Sequence, residues 1–186
     1  GIDKKITQAI MILVIAVLLI QPLQAAHSVG KQEIPSMNDA WYNTLNKIKT
    51  ETAEDSIINS WWDFGHWFIT IADRRVTFDG AGQDRHMAYW IGRSLLSSEP
   101  EKTLGILRMV DCGNNNAFWA LDNALEDTPK SIDILNDIIV LDKESAKVEL
   151  LNYIDEEQAE EVLKYSHCTP PDNYYITSQD MVGKAG

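Results

Sequence analysis

Ile6-Thr7-Gln8-Ala9-Ile10-Met11-Ile12-Leu13-Val14-Ile15-Ala16-Val17-Leu18-Leu19-Ile20-Gln21-Pro22-Leu23-Gln24-Ala25-Ala26 contains no charged residue, and from Ala9 to Ile20 it is unbroken apolar. A run of this kind is about as long as the roughly 20 residues that a bilayer-spanning helix requires. A secretory signal peptide competes, with Lys4 and Lys5 as the charged start and the aliphatic run as its apolar centre. The cleavage end fits less well, because Leu23 and Gln24 stand where small residues are wanted before Ala25 and Ala26. Both readings give the same direction. Lys4 and Lys5 stay cytoplasmic by the positive-inside rule, so the chain after His27 faces outward.

Beyond that helix the chain has about the length of one domain. Its net charge of −12 and pI near 4.6 exclude a phosphate-neutralising surface, so nucleic acid is not an expected partner. The acidic stretches Asp122 to Asp127 and Asp155 to Glu161 read as solvated helix faces. After a polar connector from His27 to Pro35, Asn38 or Asp39 is placed to cap a helix whose apolar face is Trp41, Leu45 and Ile48. Ser56 to Ser60 reads as a short strand, His66 to Ala72 as a brief helix, and Arg75 to Phe78 as another strand ending in the turn Asp79-Gly80-Ala81-Gly82. From Gln83 the pattern is helical, with Met87, Trp90, Ile91 and Leu95 on one stripe. Pro100 opens the next helix, Asn114-Asn115-Asn116 caps the one containing Phe118 and Leu121, and Asp127 or Thr128 caps a further one with Pro129 in its first turn. Helices around Glu144 to Tyr153 and Glu156 to Tyr165 precede Pro170-Pro171, and Tyr174 to Thr177 suits a last strand. The expected fold is mainly α: one N-terminal transmembrane helix (residues 1–26), then a mostly helical extracytoplasmic domain (27–186) with a few short strands.

The segment Trp61-Trp62-Asp63-Phe64-Gly65, extended by His66-Trp67, carries the chemistry. A carboxylate only accepts hydrogen bonds and an indole N–H only donates, so Asp63 with Trp61 and Trp62 together satisfy a hydroxyl, which does both. Buried groups matched to a hydroxyl reject an analogue lacking it, because they are then left unpaired. Gly65 is expected to turn the backbone sharply just after this receptor, in a conformation that a β-carbon resists. The bland alternative is that the tryptophans are simply core. A second pattern, Asp127-Thr128-Pro129-Lys130-Ser131-Ile132-Asp133-Ile134, puts Asp127, Lys130 and Ile134 on one helix face.

The first segment resembles the WWDYG signature of the catalytic subunit of oligosaccharyltransferase, with Phe64 in place of the usual tyrosine. The second is similar to that family's DK motif. Val76 to Gln83, Asp111-Cys112-Gly113-Asn114-Asn115 and Ser178 to Lys184 also look like the archaeal branch, so the resemblance covers nearly the whole chain. The chain opens on Gly1 and stops at Gly186 where the family pattern continues, which implies an excerpt of a longer, multi-pass membrane protein.

The resemblance implies a glycosyltransferase of protein N-glycosylation. It moves a glycan from a dolichol phosphate or pyrophosphate carrier in the membrane to asparagine in an Asn-x-Ser/Thr sequon. Trp61, Trp62 and Asp63 would bind the sequon hydroxyl, Ile134 would meet the threonine methyl, and Asp127 and Lys130 would shape the pocket wall. The partners implied are an acceptor polypeptide, a lipid-linked oligosaccharide and membrane lipid. Mg²⁺ or Mn²⁺ would be held by acidic residues upstream, so neither metal ligands nor catalytic residues are assigned here, and Asp79 and Asp84 are not given that role. The alternative is a secreted or membrane-anchored binder of peptides or sugars without catalysis.

Cys112 and Cys168 lie far apart, and an outward-facing domain permits a disulfide between them; two buried thiols fit as well. His167 beside Cys168 lacks the second close pair that zinc needs. His66 and His86 read as structural, without the nucleophile and orienting acid of a triad. Arg74-Arg75 reads as a surface pair.

Overall fold

The computed structural model describes residues 4–33, 36–81 and 85–185. Ile34 and Pro35 of the expected connector, and Gly82, Gln83 and Asp84, lie outside the described residues. The chain divides into two compact units between Trp41 and Tyr42.

In the first unit, α1 (Lys4–Gln32) is long and apolar enough to cross a membrane, and none of its residues is buried within the chain. It runs past Ala26, where a connector was expected. His27 to Gln32 contains no residue that stops a helix already nucleated, and Lys31 in the last turn suits the negative end of the helix dipole. Pro22 lies inside this helix. α2 (Asp39–Glu51), most of which belongs to the second unit, starts at Asn38, whose Oδ1 accepts from the Trp41 N–H at 2.9 Å.

In the second unit, a small sheet with a buried central strand and exposed edge strands accompanies the helices. β1 (Ile57–Asn59) is central, flanked by β2 (Arg75–Val76) and β3 (Asn173–Tyr175), and both pairings are parallel. Ile57 pairs with Arg75 on one side and with Asn173 on the other, so the last strand closes against the first. A single 3-10 turn, Trp62–Phe64, follows β1 and leads into α3 (Gly65–Thr70). The helices are α4 (Arg85–Leu96), α5 (Pro100–Gly113), α6 (Asn116–Leu125), α7 (Thr128–Ile138), α8 (Lys143–Leu150), α9 (Glu156–Ser166) and α10 (Gln179–Ala185).

Capping explains several boundaries. Asp127, Asp142 and Asp155 each accept a backbone N–H three residues on, and Asp155 completes a capping box with Gln158. Asn115 precedes α6 without a side-chain cap bond, a departure from the expected cap; it is buried, at 7% exposure. The core is built on Trp90, Ile106, Phe118, Leu121, Leu135, Ile138 and Leu163, all essentially inaccessible. Full burial of such side chains stabilises by about 1.5–3 kcal/mol each. A disulfide joins Cys112, at the end of α5, to Cys168, just past α9, which decides the question left open by the sequence.

Arg74 is not part of a surface pair. It is 6% exposed, and its guanidinium donates to the carbonyls of Lys49, Thr52, Ala72 and Asp73 and to Thr52 Oγ1. A planar fork of five donors suits a cluster of carbonyls that a lysine would not satisfy. Arg75 is exposed and donates to the Asp55 carbonyl.

Candidate functional site

The Trp61–Gly65 segment leaves β1 and turns at once. Trp61 is extended (φ −66°, ψ 147°), then Trp62, Asp63 and Phe64 form the 3-10 turn, closed by the Gly65 N–H on the Trp62 carbonyl. Trp61, Trp62, Asp63 and Phe64 are all half-buried. A single turn of 3-10 helix is rigid only if its surroundings hold it. Trp61 meets the edge of Phe78 at 5.5 Å and packs on Gly92 of α4. Trp62 lies against Gly80, as does His66. Phe64, at the position of the usual tyrosine, packs on Trp67 at 5.2 Å.

Gly65 works differently from the expectation. Its φ of −53° and ψ of −44° are ordinary helical values that any residue adopts. What excludes a side chain is space: an added β-carbon would sit 2.6 Å from Asp79 Cβ and 2.8 Å from the Phe78 carbonyl oxygen. Glycine is needed because the Phe78–Asp79 backbone passes directly across it. The same strand-to-turn segment thus touches Trp61 through Phe78, Gly65 through Asp79 and Trp62 through Gly80.

An apolar cavity of about 410 Å³ lies beside Trp61, lined also by Gly92, Leu95, Leu96, Met181 and Val182. α10 supplies the last two, and its helical form was not anticipated.

The second motif is placed on α7 and splits by role. Asp127 is the N-cap, accepting from the Lys130 N–H at 3.2 Å. The Lys130 ammonium extends over the ring of Tyr153, 5.1 Å from its centre. Ile134 is 5% exposed and belongs to the same core against which Trp61 and Trp62 pack. The structure therefore joins the tryptophans and Ile134 through a common core, and gives Lys130 a partner on the connection between α8 and α9.

Sequence reasoning gave no role to Asn59, Thr77 or Asp111, the last two being noted only within stretches of family resemblance. Asn59 is fully buried in the central strand; its Nδ2 donates to Asp111 Oδ1 at 2.8 Å and its Oδ1 accepts from Thr77 Oγ1 at 2.5 Å. A buried amide in the run Ile57-Ile58-Asn59-Ser60 was the available signal. Burial pushes the Asp111 carboxyl up to about 6, against the opposing pull of the Asn59 bond and Arg75. His86 stacks on Phe118 at 4.1 Å and meets the edge of Trp119, as a structural histidine does. Among the described residues, no three His, Cys, Asp or Glu side chains converge to hold a metal. Asp84 lies outside them, and Asp79 Oδ1 accepts from the Ala81 N–H.

A span-length apolar helix is followed by a mostly helical domain that carries both motifs, one on the Trp61–Gly65 turn and one at the start of α7. Over nearly its whole length the chain is homologous to one segment of archaeal dolichyl-phosphooligosaccharide-protein glycotransferases. The protein of that name from Methanococcus voltae is 33% identical over 190 residues, covering 98% of this chain and 20% of that protein. Its counterpart in Methanocaldococcus jannaschii is 32% identical over 188 residues, covering 96% of this chain and 20% of that protein. Dolichyl-phosphooligosaccharide-protein glycotransferase 2 of Pyrococcus horikoshii is 37% identical over a shorter stretch of 57 residues, 31% of this chain and 7% of that protein. The chain thus spans about a fifth of the length of the first two relatives. No family model and no solved structure matches it.

Proposed function

We propose that the protein containing this chain is an oligosaccharyltransferase that transfers a glycan from a dolichol phosphate or pyrophosphate carrier to asparagine in Asn-x-Ser/Thr sequons, and that this domain recognises the acceptor. The observation that carries the reading is the turn Trp61–Asp63, pinned by Phe78, Asp79 and Gly80. Fixed donors and a fixed acceptor lose little freedom when a hydroxyl enters, so the discrimination they provide is not spent on ordering the site. Asp63 accepts from the serine or threonine hydroxyl and an indole N–H of Trp61 or Trp62 donates to it. Ile134 contacts the threonine methyl through its small accessible edge, with Asp127 and Lys130 at the rim.

The chemistry belongs to the rest of the polypeptide. Mg²⁺ or Mn²⁺, held by acidic residues outside this domain, would polarise the acceptor amide and the leaving phosphate as a Lewis acid. This domain orients the acceptor and excludes peptides without the hydroxyl. Other partners are the lipid-linked oligosaccharide and the surrounding lipid, and the domain faces the extracytoplasmic side of a multi-pass membrane protein. In membranes carrying the full-length protein and the host's lipid-linked glycan, an Asn-x-Thr peptide is expected to be glycosylated and the matching Asn-x-Val peptide is not. Equal transfer to both would overturn hydroxyl recognition, and binding without any transfer would return the protein to the class of peptide binders.

A further inference from the structure

We propose that Asn59 is a positioning residue for the hydroxyl receptor, and that the Asp111 carboxylate fixes the orientation of its amide, so that acceptor binding weakens when Asp111 takes up a proton. The inference rests on the reading of Trp61–Asp63 as the receptor and names the device that holds it.

The receptor has two halves. One is its own strand, since Asn59 stands two residues before Trp61. The other is the wall formed by Phe78, Asp79 and Gly80, which begins directly after Thr77 and touches Trp61, Gly65 and Trp62. The Asn59 amide links them by a side-chain hydrogen bond: it accepts from Thr77 on the wall side, while the Asn59 carbonyl accepts from the Ile176 N–H on the other edge of the sheet. Ser60 Oγ donates to the Ile176 carbonyl, which ties the strand end a second time. With the amide in place, the strand and the wall move as one body.

Asp111 decides which way that amide faces. A carboxylate can only accept, so it takes the NH₂ end and leaves the amide oxygen for Thr77. A protonated carboxyl both donates and accepts, and tolerates either orientation. The bond also loses its charge assistance, which makes up roughly half its strength. The surroundings let this proton be taken up: among the described residues Asp111 Oδ2 is buried without a hydrogen-bond partner, and Glu54, Asp73 and Asp79 line the adjoining cavity of about 710 Å³. Arg75 on β2 opposes the change by attraction. The Arg74 guanidinium, on the same cavity, is committed to Lys49, Thr52, Ala72 and Asp73.

The test uses the full-length enzyme in membranes, with an Asn-x-Thr acceptor peptide, between about pH 5 and about 8. The acceptor KM is expected to rise as the pH falls through about 6, the value to which burial pushes Asp111. Asp111→Asn keeps an oxygen facing Asn59 without a titrating proton, and its KM should lose that rise. Asn59→Ala should raise KM about tenfold, the loss of one buried, charge-assisted bond, with kcat at saturating acceptor much less affected. Superimposable KM profiles for the wild type and Asp111→Asn would overturn the proposal, as would an unchanged KM in folded Asn59→Ala. Where Asn59→Ala does not fold, the Asp111→Asn profile decides. If the wild-type enzyme transfers nothing, the functional reading fails separately. The clamp is then judged on the indole N–H resonances of Trp61 and Trp62 in the ¹⁵N-labelled chain, which should shift with a midpoint near pH 6 and stay fixed in Asp111→Asn. Indole resonances indifferent to pH would overturn the clamp as well.

Discussion

Cys112 and Cys168 are joined across 56 residues by a disulfide that ties the end of α5 to the segment returning the chain to β3. In the chain-entropy account, closing a loop of that length stabilises the fold by roughly 4 kcal/mol. Reduction should therefore lower the melting temperature of this domain by about 10–15 °C. Circular dichroism in excess reductant, with free thiols counted, measures it; an unchanged transition with both thiols free would show that the bridge adds nothing.

The bridge also neighbours two residues that titrate in opposite senses, Asp111 before Cys112 and His167 before Cys168. Burial holds His167 down at about 4, helped by Arg108. Folding then disfavours its proton, so its contribution to stability is present above the unfolded value of about 6.5 and is lost as pH falls toward about 4. Asp111, raised to about 6, does the reverse: the native state holds its proton more tightly, so stability rises as pH falls from about 6 toward the ordinary aspartate value of 3.8. The two slopes oppose each other across the same window. Asp111→Asn should expose the His167 slope and make the protein acid-labile between about pH 6 and about 4, while His167→Gln should make it more stable there than at neutral pH. Urea titrations at several pH values decide this, and parallel curves for all three proteins would refute it. Asp142 and Glu160, held below the usual range by Ser145 and Lys147, lose their contributions only in stronger acid.

Much of this fold is legible because its signals are local. Asp127 marks a helix start by a bond to a residue three positions on, and the helical spacing of Leu135 and Ile138 marks a buried face. What escapes is long-range. Nothing in Ile57-Ile58-Asn59 says that its partners are Arg75 and Asn173, nor that both strands run parallel to it. The motif residues Trp61 to Gly65 were found by type, yet the reason for Gly65 is the passage of Phe78 and Asp79 across it, a contact between segments. Asn59 and Asp111, 52 residues apart, were missed on the same ground, and Arg74 looked like surface until five acceptors gathered around it.

Gly65→Ala tests the close approach. Because the backbone conformation suits alanine, the cost comes from the clash with Asp79 and the Phe78 carbonyl, about 1–3 kcal/mol for an overpacked site. The wall must retreat from Trp61 and Trp62, so acceptor KM should rise along with the loss of stability. A variant as stable as the wild type, with unchanged KM, would mean that the wall is free to shift.

Ile134 is almost wholly buried, so Ile134→Ala would open a cavity and confuse binding with folding. Ile134→Val removes a single carbon. If this residue meets the threonine methyl, the preference for Asn-x-Thr over Asn-x-Ser should narrow by up to about 1 kcal/mol, roughly fivefold in kcat/KM. An unchanged Thr/Ser ratio would assign Ile134 to the core alone.

Asp63 bears the sharpest prediction, since its role and that of the tryptophans differ in sign. Asp63→Asn keeps size and replaces one accepting oxygen by a donor, so the carboxamide can still accept from the hydroxyl, with a neutral bond about half as strong. Asp63→Ala removes the acceptor and leaves the bound hydroxyl proton unsatisfied in a half-buried site, a cost of about 1–3 kcal/mol or a loss of roughly 10- to 100-fold in kcat/KM for sequon peptides. Transfer should thus fall in the order wild type, Asp63→Asn, Asp63→Ala. Discrimination against Asn-x-Val should fall with it, because only the hydroxyl-bearing peptide uses this group. If Asp63→Ala slows Asn-x-Thr and any residual Asn-x-Val transfer by the same factor, the carboxylate supports the turn instead of reading the acceptor, and the receptor role passes to the indoles.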